Sequence, residues 1–148
     1  MKKDQGQKAK KRITAAAIDL FSQKGYDATS VNEIAGMAGV TKALIYYYFK
    51  SKEDILDNLV SSLLEDTTAI AMDFIHENIV RMITEGLLDI EPGKLHFNND
   101  EARKEFMNNV YAYHEQFLDY ALANRATLRI LMLESLKKSK HHNALLRY

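Results

Sequence analysis

The chain has 148 residues, with 20 Lys and Arg against 20 Asp and Glu, and therefore no formal net charge at pH 7. It contains no cysteine, which excludes disulfides, thiol nucleophiles and cysteine-held iron–sulfur sites. No apolar run reaches the length of a membrane span, and no signal-peptide pattern follows the basic start, so we expect a cytoplasmic protein. Six glycines and one proline leave helices free to dominate, which predicts an all-α fold.

The neutral total hides two regions of opposite charge. The segment Met1–Lys52 holds ten Lys and Arg against four Asp and Glu, whereas residues 53–148 hold ten against sixteen. A basic region suits a polyanion, and an acidic region is repelled from one. We therefore predict two domains, 1–52 and 53–148, with different partners.

The first predicted helix follows a basic arm. Six Lys and Arg lie among the first twelve residues, where Gly6 and two glutamines predict little order. This arm is either a solubilising tail or a contact for phosphates or the minor groove of a nucleic acid. After it, the i, i+3, i+4, i+7, i+8 spacing of apolar residues predicts a buried helix face that ends before Gly25. The members of this face are Ile13, Ala16, Ala17, Leu20 and Phe21.

Two short helices joined by a tight turn are predicted between residues 29 and 52. Ser30 and Glu33 have the spacing of a capping box, so one helix should begin near Val31. Gly39 suits the turn that follows because it has no Cβ. Thr41 is then a candidate N-cap for the second helix.

The second of these helices has two distinct faces. Ile45 and Phe49 point inward together with Val40. The outer face combines a small residue, a cation and phenol hydroxyls, a set that can approach phosphates closely and hydrogen-bond to them in a DNA major groove. Its members are Lys42, Ala43, Tyr46 and Tyr47. The alternative is that Thr41 only caps, that the lysine is solvated, and that Tyr48 belongs to the core.

A further helix should start at Ser51 with Asp54 in its first turn. Lys52 then lies at the amino-terminal end, where a cation opposes the helix dipole. A bound phosphate would offset that cost, although an ordinary solvated lysine is the alternative.

The segment from about Lys10 to Leu56 resembles the DNA-binding domain of the tetracycline-repressor (TetR) family of bacterial transcription regulators. The resemblance is carried by Phe21, Gly25 and Tyr26, and above all by the Ile-Ala-x-x-Ala-Gly-Val motif of Ile34–Val40, which is followed by Tyr46, Phe49 and Lys52. It implies that seven positions meet DNA: Thr29, Thr41, Lys42, Ala43, Tyr46, Tyr47 and Lys52. Two departures bear on base preference, since Ala43 stands where Gly is common and Tyr47-Tyr48 replaces a pair that often includes His.

Helices are also predicted for most of the remaining chain. One should link the domains and bend or break near the polar residues 65–68 before a second continues to about Glu85. Residues 86–99, with the Pro92-Gly93 turn, should be irregular. A helix over 100–123 should be capped by Asn98 or Asn99, and another should span 127–138. The last helix is expected to place Leu128, Leu131, Met132 and Leu136 inward.

The acidic region resembles the family's ligand-binding and dimerisation domain in architecture alone. Its methionines and aromatic residues are candidates for an adaptable apolar pocket with phenol hydroxyls to orient a small apolar or amphipathic ligand. The candidate set is Met72, Met82, Phe106, Met107, Tyr111, Tyr113, Phe117 and Met132. Ordinary core packing is the alternative for each of them.

No reaction is predicted from the sequence. His114-Glu115 lacks the second histidine of a zinc-binding H-E-x-x-H helix, and His141-His142 has no nearby set of carboxylates. We therefore expect neither an enzyme nor a metal or other cofactor. The resemblance implies two more helices that form the dimer, so the chain is expected to be a fragment.

The sequence thus predicts a DNA-binding transcription regulator. The more specific prediction is a ligand-responsive repressor that binds a near-palindromic operator as a homodimer. Two other classes stay open. One is a helical protein-interaction or lipid-binding module with non-specific DNA affinity, and the other is an all-helical enzyme.

Overall fold

The computed structural model of the protein describes residues 2–137, with side chains from Gly6 onward. Its seven α-helices are α1 Lys2–Lys24, α2 Val31–Ala38, α3 Lys42–Tyr48, α4 Lys52–Phe74, α5 Arg81–Thr84, α6 Asp100–Ala123 and α7 Arg125–Leu136. A π-helical segment, Ile75–Val80, separates α4 from α5, and two strands, β1 Leu88–Glu91 and β2 Lys94–Phe97, precede α6. The predicted all-α class is confirmed. Within residues 2–137, no helix is both long and apolar enough to cross a membrane. His141 and His142 lie outside the described residues.

The fold divides into two compact units. The first contains the residues up to Leu63 and those from Asn124 onward, and the second contains Leu64–Ala123. This division by compactness differs from the predicted domain boundary at residue 52, and the assignment of separate DNA-binding and ligand-binding domains stays a prediction.

The core of the first unit is formed by α1, α2, α3, the start of α4, and α7. The predicted inward stripe of α1 is buried along its whole length, as are Ile45 and Phe49. The face of α4 that begins with Ile55 and Leu56 joins the same core, as do Ile130 and Leu131 of α7. Burial of apolar surface stabilises this shared core by about 25 cal/mol per Å². Because short helices are marginal in water on their own, this core holds α2 and α3 in place.

The predicted helix caps are confirmed. The Ser30 hydroxyl accepts from the Glu33 amide at 3.3 Å, and a Glu33 carboxylate oxygen accepts from the Ser30 amide at 2.9 Å. Thr41 Oγ1 accepts from the Leu44 amide at 3.2 Å, and Ser51 Oγ accepts from the Asp54 amide at 3.2 Å.

Residues 86–99 form a β-hairpin, so the prediction of an irregular segment is wrong. Strands β1 and β2 pair antiparallel, with Leu88 opposite Phe97 and Ile90 opposite Leu95. The predicted turn connects them, and Gly93 takes φ +79°, a value that L side chains rarely adopt. Each strand alternates apolar and polar residues, but only over four positions, which is too short for periodicity to distinguish from a loop.

Two predicted interruptions are absent from the helices. α1 begins at Lys2, so the basic arm is helical and not irregular. A single Gly6 costs about 1 kcal/mol relative to Ala, which the helix-favouring Lys, Gln and Ala around it offset. α4 runs without a break through residues 65–68, since Glu, Asp and Thr are tolerated inside a helix, and the departure from α-helical geometry comes at Ile75–Val80.

The predicted inward face of α7 is largely wrong. Met132 and Leu136 are 68% and 77% exposed, and Leu128 is 37% exposed. The buried positions are Thr127, Ile130, Leu131 and Glu134. α7 carries apolar residues on several of its own faces. Their spacing therefore does not identify the face that packs on α1. The predicted cap of α6 is found at Asn99, whose side-chain oxygen accepts from the Ala102 amide at 2.8 Å.

Candidate nucleic-acid interface

The turn between α2 and α3 is fixed by one glycine and one arginine. Gly39 takes φ +61°, and a Cβ built on it would lie 2.6 Å from a terminal nitrogen of Arg12. That guanidinium donates to the carbonyl oxygens of Ala38 and Gly39 at the end of α2. A larger residue at Gly39 would therefore be strained and would also displace Arg12. Sequence spacing gives no indication of this contact, because Arg12 is 26 and 27 residues from its two partners.

The outer face of α3 is open to solvent. Ile45 is buried against the core, whereas Lys42, Ala43, Tyr46 and Tyr47 are exposed. Tyr47 is 78% exposed and Tyr46 is 49% exposed. The fold thus brings together four of the seven residues predicted to meet DNA, on one helix face.

Neighbouring side chains hold the aromatic residues of this face in defined positions. The Lys42 ammonium lies 5.9 Å from the centroid of the Tyr46 ring, an exposed cation–π contact. The rings of Tyr47 and Tyr48 are 5.0 Å apart and nearly perpendicular, at 88°. Tyr48 is partly buried against the core, so the Tyr47 ring packs on a side chain that the core holds in place. A fifth predicted residue, Thr41, is exposed and uses Oγ1 as an acceptor to cap α3, which leaves its hydroxyl proton free to donate.

The other two predicted DNA contacts, Thr29 and Lys52, are engaged inside the protein. Thr29 is only 2% exposed, and its hydroxyl donates to the Gly25 carbonyl oxygen at 2.8 Å. The Lys52 ammonium donates to the carbonyl oxygens of Tyr26 and Thr29 at 2.8 and 2.9 Å. Both side chains therefore fix the loop between α1 and α2. Their direct contact with DNA stays a prediction that this placement does not favour.

The start of α1 lies beside α3. A Cβ built on Gly6 would be 3.1 Å from the Tyr48 hydroxyl oxygen, and the Lys10 ammonium lies 5.5 Å from the centroid of the Phe49 ring. The lysines at positions 8, 10 and 11 are therefore carried on a helix whose first turns lie beside the carboxyl-terminal end of α3.

Lys137, at the end of α7, contacts the loop between α1 and α2. The Lys137 ammonium lies 2.9 Å from an Asp27 carboxylate oxygen and 2.6 Å from an oxygen of Glu134. Only 5% of the Glu134 side chain is exposed, and its second oxygen, Oε2, is buried without a hydrogen-bond partner. Burial, followed by the charge of Glu53, raises the pKa of the neighbouring Tyr26 phenol, which stays neutral at physiological pH. The sequence signal for Glu134 was its i+3 and i+4 spacing from buried Leu131 and Ile130.

Among the described residues, those predicted to bind a small ligand are found in two grooves, in a small core and at exposed positions. Phe106 and Met107 line a groove of about 580 Å³ between β2 and α6, and Tyr113 lines a smaller one of about 230 Å³ with Asp73 and Glu77. Met82 is fully buried in a small core with Leu88 and Ala102. The remaining four are exposed and line neither cavity: Met72, Tyr111, Phe117 and Met132. A ligand role for any of the eight stays a prediction.

The larger groove combines apolar walls with a cationic rim. Leu95 and Phe97 of β2 face Phe106 and Met107 of α6, with the Phe97 and Phe106 rings 5.3 Å apart. Its polar lining residues are Arg103, Lys104 and Asn108. In the part of the chain that the structure describes, no group of three or more His, Asp or Glu is arranged to hold a metal ion.

Comparison with known proteins gives matches to one family model, to relatives in bacteria and to solved structures. Residues 13–59 match the model of the bacterial regulatory proteins of the tetR family. The chain is 30% identical over 110 residues to the biofilm operon icaADBC HTH-type negative transcriptional regulator IcaR of Staphylococcus aureus, a match that covers 69% of this chain and 59% of that regulator. It is 48% identical over 56 residues to the probable HTH-type transcriptional regulator YttP of Bacillus subtilis, which covers 38% of this chain and 27% of that protein.

A solved structure supports the fold over almost the whole chain. The crystal structure of a HlyIIR mutant protein aligns with a TM-score of 0.60 at 21% identity, covering 97% of this chain and 63% of that one. The chain spans somewhat more than half the length of the IcaR proteins it matches. Residues 13–59 therefore form a domain of the kind found in the tetR family of bacterial regulatory proteins.

Proposed function

We propose that the protein is a DNA-binding transcription regulator that reads a major groove with the exposed face of α3. The observation that carries this proposal is the joint exposure of Lys42, Ala43, Tyr46 and Tyr47 on a helix whose other side packs into the core of the first unit. Chromosomal DNA lies in the bacterial cytoplasm, which is where we place the protein.

The polar residues in and around the interface fall into three groups by proposed role. Lys42 and the hydroxyl groups of Thr41, Tyr46 and Tyr47 donate to phosphates and base edges. The lysines at the start of α1 add phosphate contacts at the rim. Thr29 and Lys52 hold the α1–α2 loop, from which α2 begins, and so support the interface from inside.

We further propose that the regulator is a repressor that binds a near-palindromic operator as a homodimer. Support comes from the matched IcaR proteins, which are described as negative regulators. A dimer with one α3 per half-site explains how a seven-residue helix achieves useful specificity, because two half-sites one helical turn apart double the number of contacts.

The groove between β2 and α6 supports the proposal of ligand control. Its volume of about 580 Å³ lies within the range of about 300–1,000 Å³ that is typical of small-molecule sites. The apolar walls favour an apolar body, and Arg103 and Lys104 at the rim favour a negatively charged group. The proposed ligand is therefore an amphipathic small molecule that carries an anionic head.

Selection of genomic fragments tests the proposed function. The full chain is incubated with sheared DNA from its own genome, and the retained fragments are sequenced and titrated by fluorescence anisotropy. We expect enrichment of promoter fragments and a Kd at least about 1,000-fold lower for them than for random duplex, the lower range for specific binders. Equal affinity for all duplexes would instead favour the non-specific binding module.

A further inference from the structure

The exposed face of α3 lacks most of the side chains that read bases by paired hydrogen bonds. The sequence of α3, Lys42–Tyr48, is KALIYYY, and it contains no Arg, Asn, Gln, Asp or Glu. In major grooves, Arg or Lys pairs with guanine, Asn or Gln pairs with adenine, and Glu or Asp accepts from cytosine. Lys42 is thus the single residue of α3 suited to such a pairing, and the base it suits is guanine.

Where such base-pairing side chains would stand, the same face of α3 carries apolar groups. Ala43 and Tyr47 are four residues apart on a helix, so their side chains are neighbours in one row. Lys42 and Tyr46 form the adjacent row, with the ammonium 5.9 Å from the ring centroid. The outer face of α3 is therefore divided into a polar row and an apolar row.

The apolar row, Ala43 and Tyr47, is exposed, and one of its side chains packs against a neighbour. Tyr47 is 78% exposed, and Tyr48 packs edge-on against it with ring centroids 5.0 Å apart. Tyr48 in turn packs against the buried core, which restricts the Tyr47 ring before any partner binds. In the major groove, the one apolar group on a base edge is the 5-methyl of thymine, and alanine is among the residues that contact it.

We propose that α3 reads thymine through its 5-methyl group, with Ala43 and Tyr47 forming the apolar contact. This inference rests on the proposed function, because it assumes that α3 enters the major groove. Sequence preference in each half-site then comes from thymine methyls on the Ala43–Tyr47 row and from guanine opposite Lys42. Adenine and cytosine are tolerated where no methyl is required, since α3 has no side chain that pairs with them bidentately.

The test changes the DNA and leaves the protein intact. Preferred duplexes are first selected from a random library with the full chain. Each thymine of the half-site is then replaced singly by deoxyuridine, which lacks only the 5-methyl group and keeps every hydrogen-bonding atom. At one or more positions we expect affinity to fall about fourfold, the value for one apolar carbon unit moved from water into contact.

Protein variants then assign that loss to its residues. In Ala43→Gly or Tyr47→Ala, deoxyuridine at the sensitive position should cost less than in the unchanged protein, because the contact is already missing. The double-mutant cycle removes any general weakening that the substitution causes. Tyr47→Phe keeps the ring and should keep the full sensitivity to deoxyuridine.

Two results would overturn the inference. Selected half-sites that tolerate deoxyuridine at every thymine within twofold would show that methyl groups are not read, while sequence-specific binding, and with it the proposed function, would stand. A library selection that yields no preferred sequence at all would remove the proposed sequence-specific function together with this inference.

Discussion

The ammonium nitrogen of Lys52 lies 2.8 Å from the carbonyl oxygen of Tyr26 and 4.2 Å from the centroid of the Tyr26 ring. The same nitrogen donates to the Thr29 carbonyl oxygen at 2.9 Å. Lys52 begins α4, and both carbonyls belong to the α1–α2 segment. One side chain therefore joins two elements, and the hydrogen bonds that it donates offset the cost of a cation at a helix amino terminus.

Lys52→Met should lower the free energy of unfolding by about 1.5–3 kcal/mol, the range for hydrogen bonds made by charged groups. Lys50→Met is the matched control, because Lys50 is exposed, and it should change stability by less than about 0.5 kcal/mol. Urea denaturation measures both. If Lys52→Met were as stable as the control and weakened DNA binding with a smaller salt slope, Lys52 would be a phosphate ligand.

The capping box of α2 predicts a pH dependence. Hydrogen bonds from Lys24 and then from Ser30 lower the pKa of Glu33 from 4.5 to about 2. A carboxyl group whose pKa is lowered by folding stabilises the fold at pH values above the pKa that it has in the unfolded chain. This contribution disappears as the pH falls from 4.5 towards 2. The melting temperature of the unchanged protein should therefore fall more steeply in this window than that of Glu33→Gln.

Glu115→Gln serves as the comparison for that titration, since Glu115 is an exposed carboxylate of α6. It should reproduce the steep fall of the unchanged protein. A Glu33→Gln curve parallel to both would mean that the box does not contribute to stability.

The contact of Lys137 with Glu134 predicts a rescue. Lys137→Met leaves a nearly buried carboxylate without its cation and should cost about 1–2 kcal/mol, less than the 3–5 typical of fully buried pairs because 42% of the Lys137 side chain is exposed. Glu134→Gln added to Lys137→Met should recover part of that loss, since the uncompensated charge is removed. Thermal unfolding of Lys137→Met, Glu134→Gln and the double variant measures it, and strictly additive losses would contradict it.

The proposed ligand chemistry predicts selective stabilisation. Decanoate should raise the melting temperature more than decanol does, because the rim of the groove carries Arg103 and Lys104. Ligand at about a hundred times its Kd stabilises the folded state by about 2.7 kcal/mol. The double change Arg103→Gln and Lys104→Gln should abolish the difference between the two compounds, whereas Arg129→Gln on α7 should keep it. Equal effects of acid and alcohol would argue against an anionic head group.

The sequence predicted best where a local rule acts alone. The Ser30–Glu33 box, the Thr41 and Ser51 caps and the turn glycine at position 39 follow from backbone hydrogen bonding within a few residues. The buried stripe of α1 followed from a single unambiguous period. These features position α3, whose exposed face forms most of the candidate interface.

The sequence predicted less well where tertiary packing chooses between alternatives. Apolar residues lie on several sides of α7, so the face predicted to be buried is largely wrong. Packing on α1 buries Ile130 and Leu131 and leaves Met132 and Leu136 exposed. Lys52 was predicted at a helix terminus from local electrostatics, but its carbonyl partner Tyr26 is 26 residues away in the chain. Contacts at such separations depend on the fold and leave no trace in residue spacing.

The central claim is that the exposed face of α3 binds DNA, and Ala43→Asp tests it most directly. Ala43 is exposed, so the substitution should leave the melting temperature nearly unchanged. A carboxylate facing phosphates costs several kcal/mol, which corresponds to at least about a hundredfold loss of affinity for the selected duplex. Ala69→Asp, at an exposed alanine of α4, is the control and should bind as the unchanged protein does. Fluorescence anisotropy that gives equal affinities for Ala43→Asp and Ala69→Asp would contradict the assignment of α3 as the DNA-reading helix.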